Sequence, residues 1–448
     1  MSDGYDVIVV GAGSPGEHTA GVLAAGGLRV AIVERGLVGG ECSYYACIPS
    51  KTLLRPGEVV HDAREAAATA EIDVEAALAW RDFMVSGYSD AGQERWLASK
   101  GIDLIRGTGK LAGPGAVSVD GQTYTASHVV LATGADPIIP PIPGLSEISG
   151  LWTNREVTGM KEVPRRMIVL GCGPVGVEMA QAVRRFGGEV AMVGSGGYVL
   201  PREPAPLGTA LGEVLRADGI EINLNVRAEA ARQEGDDVVL TLSDGVELRG
   251  DRLLVATGRR PRTEGLGLET MGITADRHGV PTDDHLRAGE RLWIVGDATG
   301  KYLLTHVGKY QGDVVAANIM GEPRPVDYTA VPRVVYTDPQ AASVGANEGL
   351  FQATAKLNEL PKMETYSREY ASSNGFLTLL SDGVHLTGAY ALGPEAGEWL
   401  QQATLAIRAA IPLDILRDTI QPFPTFSEIY VDALSTLHRD VRAGRAAA

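Results

Sequence analysis

The stretch YDVIVVGAGSPGEHTAGVLAAGGLRVAIVERG, residues 5–36, decides the fold. Residues 5–10 form a short apolar run of the kind a buried parallel strand requires. Gly11, Gly13 and Gly16 follow, then a helical stretch to about Gly26, a second strand at 29–33, and Glu34. Strand, glycine turn, helix, strand and an acidic residue about 20 positions on make a dinucleotide-binding unit. The glycines let the backbone turn tightly and approach a pyrophosphate at the helix N-terminus, where free N–H groups and the dipole favour anions. Glu34 can accept hydrogen bonds from a ribose.

The same pattern returns in RRMIVLGCGPVGVEMAQAVRRFGGEVAMVGSGG, residues 165–197, with Gly171, Gly173 and Gly176 between a strand at 167–170 and another near 189–193. Two such units in one chain suggest electron traffic between two cofactors, since one dinucleotide needs only one. Each is followed by an apolar strand ending in Ala-Thr-Gly: HVVLATGADP (128–137, with Thr133 and Gly134) and RLLVATGRRP (252–261, with Gly258). RLWIVGDATG (291–300) delivers Gly296 and Asp297 from a strand end, where a carboxylate can hold a cofactor's polyol or phosphate. Beyond residue 330, VPRVVYTDPQAASVG and FLTLLSDGVHLTGAYALG alternate like antiparallel strands, and EAGEWLQQATLAIRAAI has helical period. The expected architecture is α/β, with two Rossmann-like dinucleotide-binding domains and a C-terminal α+β domain suited to dimerisation or packing.

With 448 residues, a net charge of −16 and 56 glycines, the chain is a multi-domain globular protein rich in turns and close backbone approaches. The acidic surface argues against nucleic acid or an anionic membrane as main partner. The N-terminus has no basic n-region, and no apolar run reaches the roughly 18 residues needed to span a bilayer. Three cysteines make no secreted-type disulfide framework, so a cytoplasmic address is expected.

Two of those cysteines, Cys42 and Cys47, sit in GGECSYYACIPSK, residues 39–51. A structural zinc site needs four ligands, usually with C-x2–4-C spacing and a second pair. Cys172 lies inside the second glycine turn and no histidine cluster is near, so no metal is expected. A buried inert pair stays open beside a thiol–disulfide couple, which suits a reducing compartment and a two-electron cofactor.

GGECSYYACIPSK resembles the G-G-x-C-x4-C-[IV]-P-S-K signature of the pyridine-nucleotide–disulfide oxidoreductases. The resemblance extends to both glycine turns, both Ala-Thr-Gly strands, Gly296-Asp297, LTHVGKYQG and PRVVYTDPQAASVG, so it spans essentially the whole chain. It implies an FAD-binding domain over 1–150, continued at 263–328. An NAD(P)-binding domain over 151–262 and a dimerisation domain over 329–448 would complete it. Gly11, Gly13, Gly16, Glu34 and Asp297 would hold FAD, and Gly171, Gly173 and Gly176 the nicotinamide dinucleotide. Cys47 would be the charge-transfer thiol beside the flavin, and Cys42 the interchange thiol that meets substrate. Lys51 and Glu178 match the family's ion pair beside the flavin, where a cation stabilises charge on the reduced ring. Electrons would pass from NAD(P)H through FAD to a Cys42–Cys47 disulfide and then to a small acceptor. Cys172 reads as a small buried residue, and His306 as a structural contact. After the second strand of the second unit come Val193, Gly194 and Ser195, with Arg202 further on. A missing carboxylate there removes a repulsion against a 2′-phosphate, which favours NADPH over NADH.

One departure matters. The family carries a His-Pro-Thr-x-x-Glu segment, contributed across a homodimer to the partner's cysteines, in which the His shuttles protons. Here the segment is IQPFPTFSEIY, with Phe423 at the His position and Glu428 retained. A phenyl ring moves no proton, and general acid–base help is typically worth about 10²–10⁴-fold. Dihydrolipoamide and glutathione disulfide are therefore not the expected substrates. Tyr44 and Tyr45, between the cysteines, are expected to line the acceptor pocket, with a substitute proton donor as the lesser role. A quinone, a metal ion or an unusual disulfide remains open as acceptor. So do reductive C–S cleavage, as in ketopropyl-coenzyme M oxidoreductase/carboxylase, and an idle flavoprotein scaffold.

Overall fold

The computed structural model describes residues 4–447; Met1-Ser2-Asp3, part of the segment read above for a leader, lies outside them. The described residues form two compact units. The first comprises the chain up to Ser50, Ala79–Ile139 and Gly258–Asp327; the second comprises Lys51–Leu78, Pro140–Thr257 and the chain from Tyr328.

The first unit is built on a sheet whose central strands run, in order, Leu292–Ile294, Gln122–Leu131, Tyr5–Val10, Val30–Glu34 and Asp103–Arg106, all parallel. Tyr5–Val10 is fully buried over Val7–Val10, as a strand covered on both faces must be. The chain reverses its strand order between Tyr5–Val10 and Gln122–Leu131, the switch point at which ligands bind in doubly wound sheets. Register aligns the carboxyl ends there: Val10 pairs with Leu131 and Val33, and Leu131 with Ile294. Gly11, Thr133-Gly134, Gly296-Asp297 and Glu34 thus leave the sheet at one edge. Glu34 closes the second strand, one residue beyond its expected end.

The second unit repeats the design with parallel strands Glu221–Leu224, Glu189–Gly194, Arg166–Leu170, Arg252–Val255 and Leu151–Trp152. It also holds a five-stranded antiparallel sheet, Arg333–Val335, Gln340–Gly345, Leu386–Gly393, Phe376–Ser381 and Phe351–Lys356. Phe376–Ser381 is buried at every residue, so its sequence alternation does not mark a solvated face. Helices covering that sheet, including Gln401–Arg408 and Ile429–Ala447, share a core with it around Trp399, Leu434 and Leu437. The α/β expectation holds: two Rossmann-like parallel sheets and a C-terminal α+β layer. Among the described residues no helix is long and apolar enough to cross a membrane.

Candidate functional site

The two glycine turns are built alike, and each glycine has a separate task. A Cβ on Gly11 would lie 2.4 Å from the Ala132 oxygen, and one on Gly16 would lie 2.0 Å from the Gly11 oxygen. At the second turn the values are 2.4 Å for Gly171 against Ala256 and 2.1 Å for Gly176 against Gly171. These four glycines let backbone meet backbone. Gly13 and Gly173 differ: nothing lies within 4 Å of a Cβ on either. Both cap helices, Ser14–Ala25 and Pro174–Arg185, without any side-chain cap, so their first-turn N–H groups remain available to an anion. An open, uncapped helix N-terminus beside a glycine is the cradle that a dinucleotide pyrophosphate requires, so the residues present fit one at each turn.

In the first unit Glu34 accepts hydrogen bonds from the Ala12 N–H (2.8 Å) and the Gly36 N–H (2.7 Å), which fix its carboxylate at the strand end. The Thr133 hydroxyl donates to the Arg262 carbonyl at 2.9 Å, and Gly134 follows in a left-handed conformation. The Gly296 N–H donates to Gln311 Oε1 at 2.7 Å and seats the turn that carries Asp297. Burial raises the Asp297 carboxyl, against the pull of the Arg259 charge. These groups suit the polyol and phosphate end of FAD. Gly258 lies at φ +131°, a conformation side chains rarely adopt, and its carbonyl accepts from the Ile138 N–H at 2.9 Å. After the second-unit strand Glu189–Gly194, Val193 and Gly194 are buried, Ser195 and Arg202 are exposed, and no carboxylate stands at the strand end.

Cys42 lies in the short helix Gly40–Tyr44, and Cys47 opens the helix Cys47–Glu65. Both are partly exposed, and no disulfide joins them. The Cys42 thiol is held far above its ordinary range, first by its hydrogen bond to Cys47 and then by burial. Cys47 Sγ lies 3.4 Å from Thr305 Oγ1, at the start of the helix Thr305–Ile319. On the next turn of the cysteine helix, within the second unit, Lys51 Nζ donates to Glu178 Oε2 at 2.8 Å. Glu178 is 5% exposed, and its other oxygen accepts from the Tyr336 N–H at 3.0 Å. The Lys51 ammonium also sits 4.6 Å from the Tyr336 ring centroid, a cation–π contact that the sequence did not disclose.

The two tyrosines part company. Tyr44 is 1% exposed, and its hydroxyl donates to the Val38 carbonyl at 3.1 Å. Burial pushes its phenol up to about 12. It reaches no open surface, so the expectation of a pocket-lining Tyr44 is corrected: the ring supports the Cys42 helix from inside. Tyr45 is partly exposed and stacks on Tyr88 at 5.6 Å and 25°. Ser86, Gly87 and Tyr88 are consecutive left-handed residues, a costly run for side-chain-bearing residues and of the kind that collects at functional sites. No sequence signal marked Tyr88. Nor was Glu17 marked, on the first turn of the helix Ser14–Ala25, where burial pushes its carboxyl up to about 7.

Phe423 is 70% exposed. Glu428 Oε2 is buried and has no hydrogen-bond partner among the described residues. His438, the histidine nearest in sequence, lies on the C-terminal helix and pairs with Asp414 at 3.0 Å. His306 is exposed on the first turn of Thr305–Ile319. Cys172 is 5% exposed, and burial pushes its thiol up to about 12, as suits an inert packing residue. The two clusters of potential metal-binding side chains among the described residues, at His61 and at Asp283, include no cysteine.

Known proteins resemble this chain over nearly its whole length. Residues 5–312 match the family model described as pyridine nucleotide-disulphide oxidoreductase, and residues 331–434 match its dimerisation domain. The chain is 32% identical to the dihydrolipoyl dehydrogenase of Chlamydia muridarum over 453 residues, 97% of either protein. It is 33% identical to the mercuric reductase of Acidithiobacillus ferrooxidans over 468 residues, 98% of this chain and 84% of that one. Among solved structures, the HOCl-induced flavoprotein disulfide reductase RclA of Escherichia coli, seen as a Cu(II) complex, superposes with a TM-score of 0.84 at 27% identity. That match covers 96% of this chain and 99% of RclA. LpdA of Mycobacterium tuberculosis superposes at 0.85 and 26% identity, with the same coverage.

Proposed function

The chain belongs to the pyridine nucleotide-disulphide oxidoreductase family, enzymes that use FAD and NAD(P)H, and from that premise we propose that it reduces a small acceptor through a Cys42–Cys47 redox couple. The observation that carries the reading is the hydrogen-bonded cysteine pair on consecutive helices, in the unit whose open glycine turn, Glu34 and Asp297 suit FAD. Residues 1–150 and 263–328 would bind FAD, 151–262 NAD(P)H, with NADPH favoured, and 329–448 a second copy in a cytoplasmic homodimer. Bound FAD would supply the two-electron relay between a reduced nicotinamide and the cysteines. The chain's own residues do the rest. Cys42 is the thiol that attacks the acceptor, Cys47 the thiol that closes the disulfide, and Thr305 holds the Cys47 sulfur. Lys51, fixed by Glu178, sets a positive charge one turn beyond Cys47. With Phe423 exposed where the family places its proton-shuttling His, dihydrolipoamide and glutathione disulfide are disfavoured, and Glu428 is left without the ring it would orient.

Anaerobic titration with NADPH tests the reading. A long-wavelength thiolate–flavin charge-transfer band is expected in the wild type and lost in Cys47→Ser. A wild-type enzyme that shows no such band sinks the redox couple. A second reading, reduction of a metal ion at the cysteines, draws on RclA having been solved with Cu(II) and on the same partly exposed thiols. NADPH oxidation driven by Cu(II) and abolished by Cys42→Ser would favour it.

A further inference from the structure

The missing histidine leaves a gap in the chemistry that a residue of the first unit can close. Glu17 stands on the first turn of the helix Ser14–Ala25, which packs against the short helix carrying Cys42. The contact between the two is tight: Gly13 bridges to Gly39, and a Cβ on Gly40 would lie 2.7 Å from the Gly13 Cα. Lys309 and Thr305 come from one helix, Thr305–Ile319, which packs along Ser14–Ala25. The Lys309 charge acts on both Glu17 and Cys42, and Thr305 contacts Cys47. Lys309 is therefore a charge common to Glu17 and Cys42, on helices that pack together within one unit.

Building on the redox couple proposed above, we infer that Glu17 carries the proton for thiol–disulfide exchange at Cys42, doing from within the subunit what the family's histidine does. Glu17 as carboxylate takes the Cys42 proton; the Cys42 sulfur attacks one sulfur of the acceptor, the acceptor S–S bond breaks, and Glu17 returns the proton to the leaving thiolate. The Cys47 sulfur then attacks Cys42 in the mixed disulfide. The second thiol leaves, taking by way of Glu17 the proton that Cys47 gave up. Two electrons and two protons pass from the dithiol to the acceptor, which leaves as two thiols. The facing groups set the charge of Glu17. Burial raises its carboxyl to about 7, Lys309 from its own helix opposes the rise, and Glu34 from its strand end reinforces it. Tyr44 feels the Glu17 charge from the cysteine helix. A carboxyl poised near neutrality serves as both base and acid. An alkyl disulfide small enough to reach Cys42, whose leaving thiolate needs a proton, then comes within range without any His at 423.

The test separates the two halves of turnover in the FAD-loaded enzyme and varies the leaving group. Glu17→Gln is expected still to be reduced by NADPH to a species with a charge-transfer band, which shows that the flavin and the cysteine pair are intact. Reoxidation by 2-hydroxyethyl disulfide should slow about 10²-fold, the low end for general acid–base help. Reoxidation by 4,4′-dithiodipyridine, whose thiolate leaves without a proton, should slow far less, since weakly basic thiolates leave faster. The limb near pH 7 in the alkyl-disulfide profile should vanish in Glu17→Gln and persist, shifted, in Glu17→Asp. Equal slowing with both disulfides, no slowing with either, or a limb that survives Glu17→Gln would overturn the assignment. Loss of the charge-transfer band in the wild type would instead overturn the underlying redox reading.

Discussion

Alanine at Gly173 and alanine at Gly176 should produce opposite defects, although the two lie on one turn. At Gly173 a Cβ meets nothing within 4 Å, and φ −80° with ψ −177° is extended backbone open to any residue. Folding should therefore change by no more than about 0.5 kcal/mol, as for other substitutions that touch nothing. The methyl instead projects at the uncapped N-terminus of Pro174–Arg185, where a dinucleotide pyrophosphate would come closest. Overpacking of about 1–3 kcal/mol there weakens NAD(P)H binding roughly 5- to 150-fold. At Gly176 the new Cβ would sit 2.1 Å from the Gly171 oxygen and 3.3 Å from Val169 Cγ1. Neither neighbouring backbone nor strand can step aside, so the cost falls at or above about 3 kcal/mol, offset by about 1 kcal/mol of regained helix propensity. The net is a loss of roughly 2 kcal/mol of stability. Fluorescence titration with NADPH and thermal melting of the same preparations read the two effects separately. The reasoning is refuted if Gly173→Ala binds NADPH as the parent does, or if Gly176→Ala melts with it.

Other outcomes follow from particular contacts. Lys51→Met leaves the buried Glu178 carboxylate with only the Tyr336 N–H, so urea denaturation should show it less stable than the Lys51→Met/Glu178→Gln double variant, because a stranded buried charge costs more than a removed pair. Tyr44→Phe should cost about 1 kcal/mol of stability through the lost bond to Val38, with KM for the acceptor unchanged; a raised KM would return Tyr44 to the pocket. Phe423→His should restore about tenfold or more of the alkyl-disulfide rate lost in Glu17→Gln, measured by steady-state turnover. His61 is raised, first by its hydrogen bond to Asp338 and against burial, so the stability it contributes is complete below its unfolded pKa of about 6.5 and fades as pH rises through the higher folded value. The melting-temperature gap between parent and His61→Asn should accordingly shrink from pH 6 to pH 9.

Much of the fold was legible because its signals are local. A G-x-G-x-x-G between strand and helix can be read without knowing what packs on it, since the backbone contacts at Gly11–Gly16 and Gly171–Gly176 lie within a few residues of each other. The pairing of Lys51 with Glu178 was also foreseeable, through the family resemblance, and the 2.8 Å contact between them is present. Tyr44 and Tyr45 were not separable, because adjacent aromatic residues look alike until the chain shows which ring points inward. In the structure, Val38 and Ser89 take the Tyr44 hydroxyl and Tyr88 takes the Tyr45 ring, and two of these partners come from a turn more than forty positions away.

By itself, then, the sequence determined the two dinucleotide turns, the cysteine pair and the absence of a histidine at 423, each a matter of spacing and residue type. Tertiary structure alone decided the state of Glu17. A glutamate on the first turn of a helix reads as a solvated residue complementing the dipole. Burial raises its carboxyl to about 7, with the Glu34 charge adding to the rise and the Lys309 charge opposing it, and the helix that carries it packs against both the cysteine helix and the distant Thr305–Ile319 helix. Burial depends on every segment that packs nearby, and that sum is not written in any one of them.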